Sequence, residues 1–196
     1  MTISAKEIAT LRAKTGLPMM ECKSALIESR GNEEEAIKIL KSRGLAKVAK
    51  RSERETKSGL VESYVHDGKI GILVEVLTET DFVAKNFDFK EFVHNIALQI
   101  AATNPKYISK DDVPAEILDK EKDELMGQVK ASGKPEEIAK KIVEGKLGSF
   151  YAEVCLLEQP FIKDQDKTIN DLLTDLVSKI GEKIVISRFV RYELGN

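Results

Sequence analysis

Residues 60–77 decide the fold of the main body and read LVESYVHDGKIGILVEVL. From Leu60 the hydrophobic pattern takes the two-residue period of a β-strand, on both sides of Asp67-Gly68. Asp-Gly between two such runs is a strong signal for a two-residue hairpin turn, because both residues accept the positive φ that this turn requires. The stretch therefore predicts a β-hairpin at the start of an α+β body.

The sequence after the hairpin predicts helices that cover a small sheet. Thr80 or Asp81 is a candidate N-cap, and helical patterns follow it up to a helix that begins at Thr168 and is closed by Gly181. Residues 184–192 return to the strand pattern. An antiparallel sheet with packed helices is therefore the expected body.

The first 44 residues predict three short helices. Ser4-Ala5-Lys6-Glu7 fits a capping box, and Thr15-Gly16 can end the first helix. Pro18 suits the start of a second helix, and Asn32 can cap a third, which Gly44 is expected to end. Three helices in so short a stretch predict a compact N-terminal module that depends on packing between them.

A basic segment separates this module from the body. Seven basic and two acidic residues lie between positions 41 and 57: Lys41, Arg43, Lys47, Lys50, Arg51, Arg54, Lys57, Glu53 and Glu55. The segment is either a strip for phosphate contacts or a solvated helical linker, and the absence of interleaved aromatic residues favours the linker. The expected organisation is a module at 1–44, a linker helix at 45–57 and an α+β core at 58–196.

Composition excludes several classes of protein. The chain has 196 residues, a net charge of −2, two cysteines and no tryptophan. The balanced charge argues against a generally basic nucleic-acid binder, and two cysteines are too few for a disulfide scaffold. No apolar run reaches the ~20 residues of a membrane span, and the N-terminus lacks a secretory h-region or a transit-peptide composition. The expected location is the cytoplasm, bacterial rather than organellar, although a processed organellar chain would look the same.

The sequence does not predict an enzyme or a cofactor site. Neither a phosphate-binding loop nor a dinucleotide-binding glycine motif occurs. His66 and His94 are expected to be surface or partly buried side chains, and two histidines allow few catalytic triads or metal sites. Cys22 and Cys155 lie in helical patterns and are expected to be small buried apolar groups.

Several stretches, in the right order over essentially the whole chain, resemble the elongation factor Ts family. They read LRAKTGLPMMECKSAL at 11–26, ETDFVAKN at 79–86, LLEQPF at 156–161 and KIGEKI at 179–184. Leu17 stands where the family usually has Ala, and Lys183 and Ser187 replace residues that are more often Asn and Arg.

The resemblance implies a function as well as a fold. It implies a ubiquitin-associated-type N-terminal module, a linker and a single α+β core, and a guanine-nucleotide exchange factor for the translation GTPase elongation factor Tu. The implied function requires no cofactor, no membrane and no direct nucleic-acid contact. Short family forms are expected to pair, which predicts a homodimer assembled through the core, with the C-terminal strand as an edge open to pairing.

The resemblance also assigns a partner-binding segment, Thr80-Asp81-Phe82-Val83. It implies that Phe82 inserts between helices of the partner's nucleotide domain, that Asp81 contacts the same region, and that the Mg²⁺ site is thereby disturbed. The hydrophobic pattern alone favours a different interpretation, in which Thr80 or Asp81 is an ordinary cap and Phe82 belongs to the core.

The N-terminal module is the second expected contact. Arg12, Met19 and Met20 fall on positions that in the family meet a helix of the partner's nucleotide domain. Methionine suits adaptable apolar contacts. The alternative, that Met19 or Met20 belongs to the module's own core, is about equally favoured by the pattern.

Three rival classes remain open on the sequence. A nucleic-acid-associated protein would use the basic linker, and an enzyme would need chemistry that the motifs do not supply. An adaptor for ubiquitin-like domains would explain the first module and leave the body unexplained. The exchange-factor hypothesis accounts for the whole chain.

Overall fold

The computed structural model describes residues 3–131 and 136–195. Its regular elements in chain order are α1 (Ala5–Thr15), α2 (Met19–Glu28), α3 (Glu33–Arg51), β1 (Ser58–His66), β2 (Ile70–Thr78), α4 (Asp81–Ala84), α5 (Phe87–Thr103), α6 (Ala115–Ala131), α7 (Glu136–Val154), β3 (Pro160–Phe161), β4 (Asp164–Thr168), α8 (Ile169–Ile180) and β5 (Ile184–Glu193). This is the predicted α+β class, with helices first and an antiparallel sheet with packed helices after them.

The start of the chain follows its local signals closely. The Ser4 hydroxyl accepts a hydrogen bond from the Glu7 amide, and the Glu7 carboxylate accepts one from the Ser4 amide at 2.7 Å. Gly16 ends α1 with φ of 68°, and the Asn32 side chain caps α3. Eight buried residues of the module form one core: Ile8, Leu11, Leu17, Cys22, Ala25, Leu26, Ala36 and Leu40. The capping box and these helix starts are confirmed.

The predicted end of the third helix at Gly44 is wrong. Helix α3 continues to Arg51, so most of the expected linker helix belongs to the same helix as the end of the module. Gly44 is buried inside this helix, and a Cβ atom placed there would lie 2.8 Å from Thr174 Cγ2 and 2.9 Å from Ser178 Oγ of α8. The glycine thus permits α3 to approach α8, and this packing overrides its low helix propensity.

The hairpin forms where the sequence predicts it. Asp67 and Gly68 have φ of 49° and 66°, the two positive values of a type I′ turn. The sheet has the order β1-β2-β5, which places β2 in the centre and leaves β1 and β5 at the edges. The final strand is therefore an edge strand, as expected.

The chain divides into two compact units. The first comprises the residues up to Ser63, Leu73–Asn95 and Asp171–Val190; the second comprises Tyr64–Ile72, Ile96–Asn170 and the residues from Arg191 onward.

None of the helices that the structure describes is long and apolar enough to cross a membrane.

The second unit contains a strand pair and a buried side-chain contact that the sequence did not predict. A short antiparallel pair joins β3 to β4, with Pro160 opposite Thr168. The buried Gln99 side chain holds residues 159–162, which include β3. Its Nε2 donates to Gln159 Oε1 and to the Pro160 carbonyl, both at 3.1 Å, and its Oε1 accepts from the Ile162 amide at 2.9 Å. In the same unit, α6 and α7 pack on each other around Leu125, Val129 and Val143.

Gly44→Ala tests the close approach of α3 to α8. Alanine favours a helix over glycine by about 1 kcal/mol, but its Cβ has no room beside Thr174 and Ser178. We expect the free energy of unfolding to fall by about 1–2 kcal/mol, as for other overpacked sites. Urea unfolding followed by circular dichroism measures the change.

The matched control is Gly127→Ala in α6, where an added Cβ meets no atom within 4 Å. It should stabilise the protein by up to about 1 kcal/mol. Equal stabilisation by both substitutions would show that α3 and α8 do not approach each other as described.

Candidate partner-binding surface

A single turn of helix presents Phe82 to solvent. Helix α4 is only four residues long, and its N-cap is Thr80, whose hydroxyl accepts a hydrogen bond from the Val83 amide at 3.5 Å. Val83 and Ala84 are buried and anchor the turn, whereas the Phe82 side chain is 90% exposed. The interpretation of Phe82 as a core residue is therefore wrong, and Thr80 is the cap.

Among the large apolar side chains that the structure describes as exposed, Phe82 is the most exposed. Full burial of a phenylalanine side chain is worth about 1.5–3 kcal/mol, so the fold forgoes this gain. A second phenylalanine, Phe87, is 77% exposed at the start of α5. The exposure of Phe87 was not predicted, although the sequence contains a signal for it: Phe87 lies outside the helical register of the buried residues Phe89, Phe92 and Val93.

The N-terminal module exposes the other assigned residues. Arg12 on α1 is exposed, and Met19 and Met20 on α2 are 49% and 71% exposed. The core of the module is built from other side chains. The alternative in which either methionine belongs to that core is therefore wrong. Ile27, two helical turns after Met20 on α2, is 56% exposed and was not singled out from the sequence.

The assigned residues fall into two sets within the first compact unit. Thr80, Asp81, Phe82 and Val83 come together in one turn between β2 and α5, and Val83 is the one member of that set that is buried. The other set lies on α1 and α2, which pack on each other.

The residues just before α4 are tied to the turn that follows α8. The Glu79 carboxylate accepts hydrogen bonds from the Lys183 amide at 2.6 Å and from Arg54 Nη1 at 3.2 Å. The hydrogen bond from the Lys183 amide is the main reason that the pKa of Glu79 lies below its ordinary value. Arg54 lowers this pKa further, whereas burial opposes the shift. Lys183 Nζ in turn donates to the carbonyl oxygens of Ser52 at 2.5 Å and Arg54 at 2.9 Å.

Acidic partners neutralise most of the basic segment. Five of its seven basic side chains form ion pairs: Lys41 with Asp171, Arg43 with Glu28, Lys47 with Glu21, Arg54 with Glu79 and Lys57 with Glu55. Such side chains are less available to phosphates, which disfavours the nucleic-acid alternative.

The histidines and cysteines take the expected ordinary places. His94 Nδ1 lies 3.1 Å from Glu62, and His66 Nδ1 lies 3.0 Å from the Tyr64 hydroxyl, both on the surface. Cys22 and Cys155 are fully buried free thiols, and burial raises the pKa of Cys155. Within residues 3–131 and 136–195, no group of three or more His, Cys, Asp or Glu side chains is arranged to hold a metal ion.

Comparison with known proteins places the chain in a class and a family. The family model described as "Elongation factor TS" matches residues 21–196. A protein named "Elongation factor Ts" from Alkaliphilus oremlandii is 55% identical over 195 residues, which cover 100% of this chain and 90% of the relative. Its namesake from Fervidobacterium nodosum is 52% identical over 196 residues, with 100% of both chains covered.

These similarities make the chain an elongation factor of protein synthesis. More narrowly, it belongs to the elongation factor Ts family, as the motifs in its sequence indicated.

Acid should weaken the Glu79 contact. Because the pKa of Glu79 is lower in the folded than in the unfolded chain, the carboxylate stabilises the fold above the ordinary glutamate pKa of about 4.3. That stabilisation is lost as the pH falls through the lower folded pKa. We expect Glu79→Gln to reduce the free energy of unfolding at pH 7 and to flatten its fall below pH 4.3, measured by urea unfolding.

Glu144→Gln, at an exposed position of α7, is the control and should leave the curve unchanged. If the Glu79→Gln curve ran parallel to that of the wild type at every pH, Glu79 would not carry the contact described.

Proposed function

We propose that the chain is a guanine-nucleotide exchange factor that binds elongation factor Tu, disturbs its Mg²⁺ and phosphate site, and promotes release of GDP so that GTP can bind. Membership of the elongation factor Ts family supports this function. The observation that carries it is the 90% exposure of Phe82 on a turn that is capped by Thr80 and anchored by Val83. The action requires no covalent chemistry.

Exchange of this kind is a matter of differential binding. The factor binds the nucleotide-free GTPase more tightly than the loaded one, and linkage requires that factor and nucleotide weaken each other by the same ratio. A tenfold mutual weakening corresponds to about 1.4 kcal/mol. Burial of one phenylalanine supplies that amount if it occurs only in the nucleotide-free complex.

Phe82 is the proposed wedge. It inserts between helices of the partner's nucleotide domain, Asp81 contacts the same region, and the displaced elements loosen Mg²⁺ and then the nucleotide. A phenylalanine offers a large apolar area with few torsions to freeze. Thr80 and the buried Val83 hold the turn in shape rather than reaching far into the partner.

The N-terminal module is the proposed second contact. Arg12 offers a charged group, and the exposed Met19 and Met20 offer adaptable apolar area to a helix of the partner's nucleotide domain. Two separated contacts on one unit let the module supply affinity while Phe82 supplies the disturbance.

We also propose that the core forms a homodimer, which acts in the cytoplasm. β5 is an edge strand, and such an edge offers unpaired backbone groups to another chain. A groove of about 310 Å³ beside it is lined by the exposed side chains of Val61, Leu73 and Val190. A second copy would cover this apolar surface.

Phe82→Ala tests the wedge. Because the side chain is 90% exposed, the fold should persist, while loss of an aromatic anchor worth about 2 kcal/mol should slow exchange roughly 30-fold. Stopped-flow release of fluorescent GDP from elongation factor Tu, with excess unlabelled GDP, measures the rate.

Phe87→Ala is the matched control, since Phe87 is a neighbouring phenylalanine of similar exposure. It should keep nearly the wild-type rate. An unchanged exchange rate for Phe82→Ala would show that Phe82 is not the wedge. Equal slowing by both substitutions would show that Phe82 contributes only as exposed apolar surface.

Leu73→Glu tests the dimer. The wild type should sediment at micromolar concentration with twice the chain mass of 21.8 kDa. A carboxylate in the groove should give the monomer, because an unpaired charge is costly to bury. Leu45→Glu, an equally exposed apolar site on α3, should remain dimeric. A monomeric wild type would contradict the proposal.

A further inference from the structure

The turn between α8 and β5 reaches the segment that carries Phe82. Glu182 lies in that turn, and its carboxylate accepts three hydrogen bonds from the end of β2 and the start of α4. Thr78 Oγ1 donates to Oε2 at 2.9 Å, the Thr80 amide donates to Oε2 at 3.0 Å, and Thr80 Oγ1 donates to Oε1 at 2.7 Å. One side chain thus binds two residues that lie more than 100 positions earlier in the sequence.

Local backbone geometry brings Glu182 to this place. Gly181 has φ of 87°, and its amide donates to the Val177 carbonyl at 2.9 Å, so α8 ends there in the left-handed conformation that favours glycine. β5 begins three residues after Gly181, at Ile184. This geometry explains the sequence motif around Gly181 and Glu182, which the proposed function alone does not explain.

The bond to Thr80 determines how that residue caps α4. The Thr80 hydroxyl donates its one hydrogen to Glu182, which leaves its lone pairs to accept the Val83 amide. Three further backbone bonds close the turn: Ala84 to Thr80 and Lys85 to Asp81, both at 3.2 Å, and Asn86 to Val83 at 2.9 Å. A helix this short does not persist on its own, so external bonds must hold it.

We propose that Glu182 is a positioning residue for nucleotide exchange: its carboxylate fixes Thr80, and through the capped turn fixes the direction of Phe82 before the partner arrives. This inference rests on the proposed function, in which Phe82 enters the partner. A turn ordered in advance spares the complex the entropy of ordering it on binding.

A purely structural role for Glu182 would have a different consequence. The backbone of the same turn is held independently of the Glu182 carboxylate, by the Glu79 bond to the Lys183 amide and by the Lys183 side chain on Ser52 and Arg54. The fold should therefore survive loss of the carboxylate while α4 loosens. A structural residue would instead lower global stability and act equally whether or not Phe82 is present.

The experiment compares Glu182→Ala with Glu182→Gln, each in the wild type and in Phe82→Ala. Exchange is followed with elongation factor Tu loaded with fluorescent GDP, and amide hydrogen exchange of residues 81–85 is followed in the free protein. Glu182→Ala should reduce kcat/KM for exchange about tenfold, because ordering of the turn must then accompany binding. In the Phe82→Ala background the same substitution should change kcat/KM less than about twofold, because it acts through Phe82.

Glu182→Gln should fall between the wild type and Glu182→Ala. Its amide oxygen can still accept two of the three bonds, but its NH₂ group cannot accept the Thr80 hydroxyl hydrogen. The matched control is Asp88→Asn, which removes the nearby ion pair of Asp88 with Lys179 at 2.7 Å and touches no bond of Thr80. It should leave both the exchange rate and the amide protection of residues 81–85 unchanged.

Faster amide exchange of residues 81–85 in Glu182→Ala, together with the loss of kcat/KM, would support the proposal. Unchanged amide protection, or an equal loss of kcat/KM with and without Phe82, would overturn it while Phe82→Ala remained slow. If Phe82→Ala itself exchanged as fast as the wild type, the wedge and this inference would both fall. The two failures are therefore distinguishable.

Discussion

The hydrogen bonds made by the turn between α8 and β5 organise the surface that carries Phe82. Glu182 binds Thr78 and Thr80, the Lys183 amide binds Glu79, and the Lys183 side chain binds the backbone that follows α3. Charge-assisted bonds of this kind are about twice as strong as neutral ones. Three segments that are distant in sequence therefore meet at one short turn beside the one-turn helix α4.

The same arrangement allows the fold to keep a large apolar side chain in water. Val83 and Ala84 bury the inner side of α4, so the outer position can carry a phenylalanine without destabilising the sheet. A rigid exposed aromatic has no benefit for the isolated chain and a large benefit for a partner that buries it. The methionines on α2 follow the same principle, since a core made of other side chains leaves them free for contact.

The sequence predicts what local chemistry determines. Asp67-Gly68 predicts the hairpin, because its turn needs only the two residues themselves. The prediction that the third helix ends at Gly44 is wrong because the tight packing of this glycine against α8 allows the helix to continue. Local helix propensity carries no information about that packing. The exposure of Phe82 follows from its neighbours rather than from its pattern, so only the family resemblance indicated it. The hydrogen bonds of Glu182 join positions about 100 residues apart, and no local signal marks such a contact.

The proposed function requires that this chain distinguish the nucleotide-free from the loaded state of elongation factor Tu. The most direct measurement is its dissociation constant for each state, by titration calorimetry, beside the affinity of the GTPase for GDP with and without the chain. We expect the nucleotide-free state to bind this chain at least about tenfold more tightly, and the affinity for GDP to fall by the same ratio, as linkage requires. Equal affinity for the two states would contradict it, because a ligand that does not distinguish two states cannot shift their balance.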